Sequence, residues 1–380
     1  MFLLEHDAKT LLALSGLPVP HGVLLAENRL DAAELPPPPW IVKAQLPVGG
    51  RGKAGLIRPA ATSAELRNEL DRLFGRVHRG YPVRECRVEA AVDGAEEAYL
   101  SIALDPARGT VRVLVSGRGG VDIETLAGTP GAVHDLAVPD DAEAIAAAVR
   151  GATAGLAPHF AHALADAGAR LGQLFVEGEL RLAEINPLFV YPDGSWTAGD
   201  AKIVVDENAL PRQHAQLALL ESRAAAYPAA HRKHVYGCDY VVVDPDGEIG
   251  LLTTGAGLSM MLIDELGAAG LRPYNFLDVR TGGLKGDPTR LVHVLEWIAE
   301  GPRVKVLLVN IFAGITDLGE FSRLLLAALD RTATRLPVVA RLVGTNVEAA
   351  RETLAARGIA VEPDLARALA RVREHLQPKA

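Results

Sequence analysis

Apolar residues first recur at helical spacing at Leu4, Ala8, Leu11, Leu12 and Leu14, and Gly16 and Pro18 end the pattern, which predicts an amphipathic helix over residues 4–15. Residues 40–44 form a short apolar run of strand length, reached through the stiff proline connector 36–39. That run enters a glycine-dense loop at 47–55, and a helix is predicted over 64–74. Strands are predicted over 86–92, 98–104 and 110–115, the last two pairing across the turn at 105–109. An alanine-rich stretch over 141–173 reads as helical. Two further strands, at 179–184 and 195–204, flank the turn at 191–194. Hairpins mixed with helices imply an α+β layout for the first 230 residues or so.

The pattern changes near Tyr240. Residues 240–243, 249–252, 304–309 and 337–342 are β-rich runs, and helices are predicted after Gly255, from about Glu320 and from about Val347. Strands alternating with helices imply a parallel, flavodoxin-like sheet. The divide is expected at 230–238, giving domains 1–235 and 236–380.

Composition narrows the function classes. Hydrophobic residues make up 49% and charged residues 23%, and the formal net charge is −8. That is ordinary globular composition, and the sign argues against a nucleic-acid surface but not against a local phosphate site. Cys86 and Cys238 stand far apart, so neither a disulfide framework nor a zinc site is expected, and a reducing, cytoplasmic compartment fits better than secretion. The first residues lack a positive n-region with an apolar core, and no apolar run reaches membrane-span length. No signal peptide and no membrane contact are expected.

Three segments carry chemistry. Lys43 at a strand end and the loop Gly49-Gly-Arg-Gly-Lys53 combine a cation with backbone N–H groups that glycine lets approach a polyanion. The plain alternative is a basic surface hairpin. Glu184, Asn186 and Asp200 offer hard oxygens from neighbouring strands, the donors that suit Mg²⁺ beside nucleotide phosphates. The alternative there is two strand-end turns. Glu89 and Glu97 offer acceptors for an adenine amine or a ribose hydroxyl, against the alternative of solvated acids.

Together and in this order, the segments resemble the β subunit of the succinate–CoA ligase family. The resemblance runs from the Leu-x-Glu-x-x-Ala-Lys opening (3–9) and Gly16-Leu-Pro-Val-Pro20 through VKAQ (42–45), GGRGKAG (49–55) and VEAAVD (88–93). It continues through GGVDIE (119–124), EINPL (184–188), TGAGLSM (254–260), NFLDV (275–279) and LLVNIF (307–312). The resemblance implies an N-terminal ATP-grasp domain followed by a flavodoxin-like CoA-ligase domain. It implies that Lys43, Gly50, Arg51 and Gly52 bind ATP phosphates, that Glu89, the Val92 backbone and Glu97 line the nucleotide pocket, and that Asn186 and Asp200 hold Mg²⁺. Glu184 would stand where a phosphohistidine loop approaches. The implied partner is an α subunit supplying that histidine and most of the CoA site, in a hetero-oligomer that turns a carboxylic acid, CoA and ATP into acyl-CoA, ADP and phosphate. Here the nearest candidate histidine, His134, reads as a loop residue.

The family also aims two helix N-termini at the shared site, here Thr254 to Gly257 and Gly314-Ile315-Thr316. This end departs from the family pattern. Thr254 stands where Asn is usual, Val279-Arg280-Thr281 where glycines follow NFLDV, and Asp317 where an arginine is usual. Arg280 therefore has two functional readings, a grip on the substrate carboxylate or a pair with Asp317, beside the plain one of a surface residue. The acid can be succinate, malate or another, ATP against GTP stays open, and a non-catalytic nucleotide-binding relative is the remaining alternative.

Overall fold

Helix α1 (Glu5–Leu14) turns Ala8, Leu11 and Leu12 inward, as their spacing predicts, but leaves Leu14 of the same pattern exposed and buries Glu5, Asp7 and Lys9 instead. The computed structural model describes residues 1–26, 34–120, 131–281, 284, 286–314 and 316–377. They fall into two compact units, Met1–Ser222 and Arg223–Ala380.

In the first unit α1 is followed by β1 (Gly22–Ala26), β2 (Trp40–Ala44), β3 (Ile57–Ala60), α2 (Ser63–Leu73), the short pair β4 (Val77–His78) and β5 (Tyr81–Pro82), and β6 (Glu85–Ala90). An antiparallel sheet runs in the order β1-β6-β2-β3. Thr62 caps α2 by accepting from the Glu65 N–H, and Leu66, Leu70 and Leu73 pack with Trp40, Val42 and Val88 of the sheet.

Next come β7 (Glu96–Asp105), β8 (Thr110–Ser116), β9 (His134–Val138), α3 (Ala142–Thr153), α4 (Pro158–Glu177), β10 (Leu180–Val190), β11 (Trp196–Ala198), β12 (Ala201–Val205) and α5 (His214–Ser222). The second antiparallel sheet runs β11-β10-β7-β8-β9, with β12 also on β10. Residues 141–173, expected as one helical stretch, are two helices, because Pro158 at the first turn of α4 cannot continue α3. The two pack closely. A Cβ on Gly168 would meet Val149 at 2.8 Å, and one on Gly172 would meet Ile145 at 2.9 Å. His134, expected in a loop, opens β9 opposite Val115.

The second unit contains α6 (Pro228–Tyr236), β13 (Asp239–Val242), β14 (Ile249–Thr253), α7 (Ala256–Ala268), β15 (Asn275–Asp278), α8 (Thr289–Ala299), β16 (Val306–Ala313), α9 (Leu318–Arg331), β17 (Val338–Gly344), α10 (Val347–Ala355) and α11 (Leu365–Leu376). The polar stretch 231–234 lies inside α6, which ends on Gly237 in the left-handed conformation. Strands β14, β16 and β17 pair in parallel, the sheet that the alternating pattern predicts. One face packs on α8, α9 and α10 and the other on α7 and α11. Antiparallel β13 and β15 form a separate ladder, and β15 meets β14 through a side chain. The Asn275 amide accepts from the Leu251 N–H at 2.9 Å and donates to the Leu251 carbonyl at 2.9 Å. Among the described residues no helix is long and apolar enough to cross a membrane.

Candidate active site

A cleft of about 1060 Å³ opens in the first unit. Its walls come from both sheets: Lys43 on β2, the loop 49–53, Glu89 on β6, Glu184 and Asn186 on β10, and Asp200 between β11 and β12. These are residues that the sequence singles out, and chain segments far apart bring them together.

The floor of the cleft is a buried ionic cluster. Lys43 Nζ donates to Glu5 Oε1 at 2.8 Å and to the Gly199 carbonyl at 2.5 Å, and lies 2.7 Å from Glu89 Oε1. Lys9 Nζ reaches Glu5 at 2.9 Å, Glu89 at 2.7 Å and the Gly199 carbonyl at 2.8 Å. Arg51 lies 2.8 Å from Glu5 Oε2 as an ion pair, and donates to both Asp200 oxygens at 3.0 and 2.9 Å and to the Ala44 carbonyl at 3.1 Å. Arg87 completes the set, 2.7 Å from Glu89 Oε2. The cations Lys9, Lys43, Arg51 and Arg87 thus face the carboxylates Glu5, Glu89 and Asp200, leaving one positive charge in excess.

This balance sets the protonation states. Burial alone would raise the Glu5 pKa, yet Lys43, Lys9 and Arg51 outweigh it and hold the carboxyl well below the usual range. Burial would lower the Lys43 pKa, yet Glu5, Glu89 and Asp200 outweigh it and keep the ammonium charged. Lys9 goes the other way: burial is its largest influence, Lys43 and Arg87 add to it, and its pKa falls despite Glu5 and Glu89. Burial and the Glu5 charge raise the Asp200 pKa against Arg51.

Oxygen donors form the opposite side. The Pro187 carbonyl accepts from the Gly199 N–H at 2.9 Å, which fastens the turn carrying Asp200 one residue beyond Asn186 on β10. Asn186 Oδ1 accepts from the Gly120 N–H at 2.8 Å. Tyr99 on β7, buried, donates to Glu184 Oε2 at 3.2 Å. Among the described residues no group of three or more His, Cys, Asp or Glu side chains gathers as a cage. The set on hand, amide and carboxylate oxygens beside cations, suits Mg²⁺ shared with phosphates and water.

The remaining positions differ in their setting. Gly50, at φ 80°, opens the turn in which Ala54 N–H donates to its carbonyl, and Gly52 and Val92 line the cleft. Glu89 lines it too, but Lys9, Lys43 and Arg87 already bind its carboxylate, in place of the free acceptor that the sequence suggests. Glu97 is the second residue of β7 and stands outside the cleft lining. It packs on Gly120, where any Cβ would overlap its carboxylate. Residues 121–124 of the GGVDIE motif lie outside the described residues.

In the second unit, Thr254 and Gly255 lead from β14 into α7, and the Gly255 N–H donates to Asp278 Oδ1 at 2.8 Å. Gly314 follows β16, and its carbonyl accepts from Thr345 Oγ1 at 3.1 Å. Thr316 Oγ1 lies 2.8 Å from Thr281 Oγ1, while Ile315 lies outside the described residues. Arg280, half exposed at φ 49°, pairs with Asp239 at 2.6 Å. The alternative pair with Asp317 is therefore corrected. β13 runs antiparallel to β15 with Asp239 opposite Asp278, which brings Arg280 to Asp239. Asp317 instead caps α9 by accepting from the Glu320 N–H, and it also accepts from Asn346. Both helix N-termini already hold a protein carboxylate.

Sequence reasoning missed Glu5, Lys9, Arg87 and Tyr99. The signal for the first two was present, since a glutamate and a lysine four apart share one helix face, and Leu3 to Lys9 matched a family motif. Nothing local marked that face as the buried one.

Comparison with known proteins agrees with this architecture. Residues 2–190 match the family model of the ATP-grasp domain, and residues 252–373 match that of the CoA-ligase domain. The succinate–CoA ligase [ADP-forming] subunit beta of Chloroflexus aurantiacus is 40% identical over 365 residues, 93% of each chain. The succinate–CoA ligase [GDP-forming] subunit beta of Thermus thermophilus is 36% identical over 373 residues, 96% of each chain. ATP citrate lyase of Methanothrix soehngenii shares the fold, with a TM-score of 0.74, 18% identity and 95% of each chain covered. Relatives of this identity, aligned over nearly their whole length, together with the match of this chain to both domain models, make the chain a member of the succinate–CoA ligase beta-subunit family.

Proposed function

We propose that this chain is the nucleotide-binding beta subunit of an ADP-forming acyl-CoA ligase, and that the cleft of the first unit is where ATP reacts. The observation that carries the reading is that Lys43 and Arg51 line one cavity together with Glu184, Asn186 and Asp200. Lys43, Arg51 and the N–H groups of Gly50 and Gly52 would take the phosphates, with Glu89, Val92 and Glu97 toward the nucleoside. Asn186 and Asp200 would hold Mg²⁺, which when bound neutralises charge on the phosphate oxygens.

The chemistry needs a partner. A histidine on a separate alpha subunit attacks the γ-phosphorus, and the bond to the bridging oxygen breaks to release ADP. The phosphoryl group passes to a carboxylate, and the CoA thiolate then attacks the acyl phosphate and expels phosphate. Carboxylate oxygen is a poor leaving group and phosphate a good one, which is the reason for the detour. The contribution of this chain is positioning and charge neutralisation. Glu184, anchored by Tyr99, would meet the histidine loop.

The test is reconstitution with an alpha subunit of the same ligase family, supplied with Mg–ATP, CoA and a panel of acids. Release of ADP together with acyl-CoA is expected only from the pair, and acyl-CoA synthesis by this chain alone contradicts the reading. Relatives carry both ADP-forming and GDP-forming names, so ATP and GTP are compared in the same assay. At the acid end, Arg280, Thr254, Gly314, Ile315 and Thr316 would face the substrate. Succinate is the leading acid and malate the alternative. Relative kcat/KM across the acids that stays unchanged in Arg280→Ala removes Arg280 from the substrate site. The absence of a spanning helix among the described residues is compatible with a cytoplasmic enzyme.

A further inference from the structure

We infer that Glu5 is a positioning residue of the nucleotide site: its single carboxylate fixes Lys43 and Arg51 side by side so that both meet neighbouring oxygens of a phosphate chain. The inference rests on the nucleotide reading of the cleft and extends it to the helix that precedes both sheets.

Three observations carry it. Glu5 Oε1 lies 2.8 Å from Lys43 and Oε2 lies 2.8 Å from Arg51. Glu89 reaches Lys43 and Asp200 reaches Arg51, but among the described residues only Glu5 forms ion pairs with both. Two oxygens on one carbon impose a fixed separation on whatever they bind, and the oxygens of a phosphate chain are closely spaced in the same way. Second, a helix separate from both sheets presents Glu5 to the cleft. Glu5 is the first residue of α1, where the unpaired N–H groups of a helix start favour a carboxylate, and its side chain is 1% exposed. Third, Lys9 on the next turn of the same helix bonds Glu5 at 2.9 Å and also Glu89, so the helix delivers the anion with its own counter-charge. A merely cohesive role needs no bridge between these two cations, because buried ion pairs generally hold a fold no better than apolar side chains of similar volume.

A residue that positions cations for the reaction, rather than adding binding strength, affects turnover more than affinity. The test compares wild type and Glu5→Gln within the reconstituted complex, using ATP binding by calorimetry and the rate of phosphoryl transfer to the alpha subunit. Wild-type protein that fails to bind ATP overturns the nucleotide reading itself, whatever Glu5 does. Given wild-type binding, the expected result for Glu5→Gln is ATP affinity within about threefold, or tighter through the lost negative charge, with transfer slowed about tenfold or more. Equal losses in affinity and rate, or no change in either, overturn the inference. If Glu5→Gln does not fold, the same measurements on Glu5→Gln/Lys9→Met, which removes one charge of each sign, decide the matter by the same criterion. Failure of both variants to fold assigns Glu5 to the fold alone and overturns it as well.

Discussion

Arg51 holds both oxygens of Asp200, at 3.0 and 2.9 Å. The arginine proposed for the phosphates and the carboxylate proposed for the metal are thus partners before either meets a ligand. A cation arriving at Asp200 would compete with Arg51, and an anion arriving at Arg51 would compete with Asp200. A magnesium–nucleotide complex brings both together, so it can exchange the internal pair for two external ones with little net loss of charge pairing.

Asp200→Asn separates these effects. Calorimetric ATP binding in the presence of Mg²⁺ is expected to weaken about tenfold or more, while binding of metal-free ATP in chelator stays the same or tightens because Arg51 is released. Equal weakening under both conditions would show that Asp200 supports the cleft wall and not the metal.

Lys9→Met removes an ammonium that is 0% exposed and takes one ion-pair partner from each of Glu5 and Glu89. Breaking such a buried pair is expected to cost about 3 kcal/mol, read from urea unfolding. A loss below about 1 kcal/mol would mean that Lys43, Arg51 and Arg87 suffice for the two carboxylates.

Tyr99→Phe deletes the hydroxyl that donates to Glu184 Oε2. Burial, and then the Glu184 charge, raise the tyrosine pKa, so the proton stays on the phenol and remains available as a donor. The expected stability loss is about 1 kcal/mol. Phosphoryl transfer should fall more than ATP affinity does, because Glu184 loses its orientation. Wild-type transfer rates in this variant would detach Tyr99 from the chemistry.

The thiols give a pH signature. Burial pushes Cys86 up to about 12 and Cys238 up to about 11. An unfolded thiol ionises near about 8.5. Groups raised in the folded state add stability that is complete below the unfolded pKa and is lost as pH climbs toward the folded one. Between roughly pH 9 and 11 each thiol should therefore cost about 1.4 kcal/mol per pH unit. Urea unfolding of wild type and of Cys86→Ala/Cys238→Ala should diverge over that window, and parallel curves would refute the assignment. At pH 8 neither thiol should react with a thiol reagent until the chain unfolds.

Much of the fold was legible because the pattern and the burial agree. Ala8, Leu11 and Leu12 are spaced for one face, and that face is inside. The runs at β16 and β17 are continuous because both faces of the parallel sheet are covered. The site was legible in part. Lys43, Asn186 and Asp200 meet at one cleft, although nothing in their local sequence places β2 beside β10. Glu5 and Lys9 were not legible as site residues, since a Glu–Lys pair four apart on a helix ordinarily faces water. Only the tertiary contact with Lys43 and Glu89 reverses that. The break within 141–173 was written in Pro158, but an alanine-rich surround masks a single breaker. Arg280 could be matched to Asp239 only once the β13–β15 register was known.

Strand β10 pairs with β7 along one stretch of its length after another, with β12 at its N-terminal part and β11 at its C-terminal part. Glu184 and Asn186 therefore sit on a strand whose amides open only when neighbouring ladders open too. In hydrogen exchange β10 belongs among the slowest-exchanging segments of the first unit, which keeps the spacing of those oxygens fixed while less protected segments open.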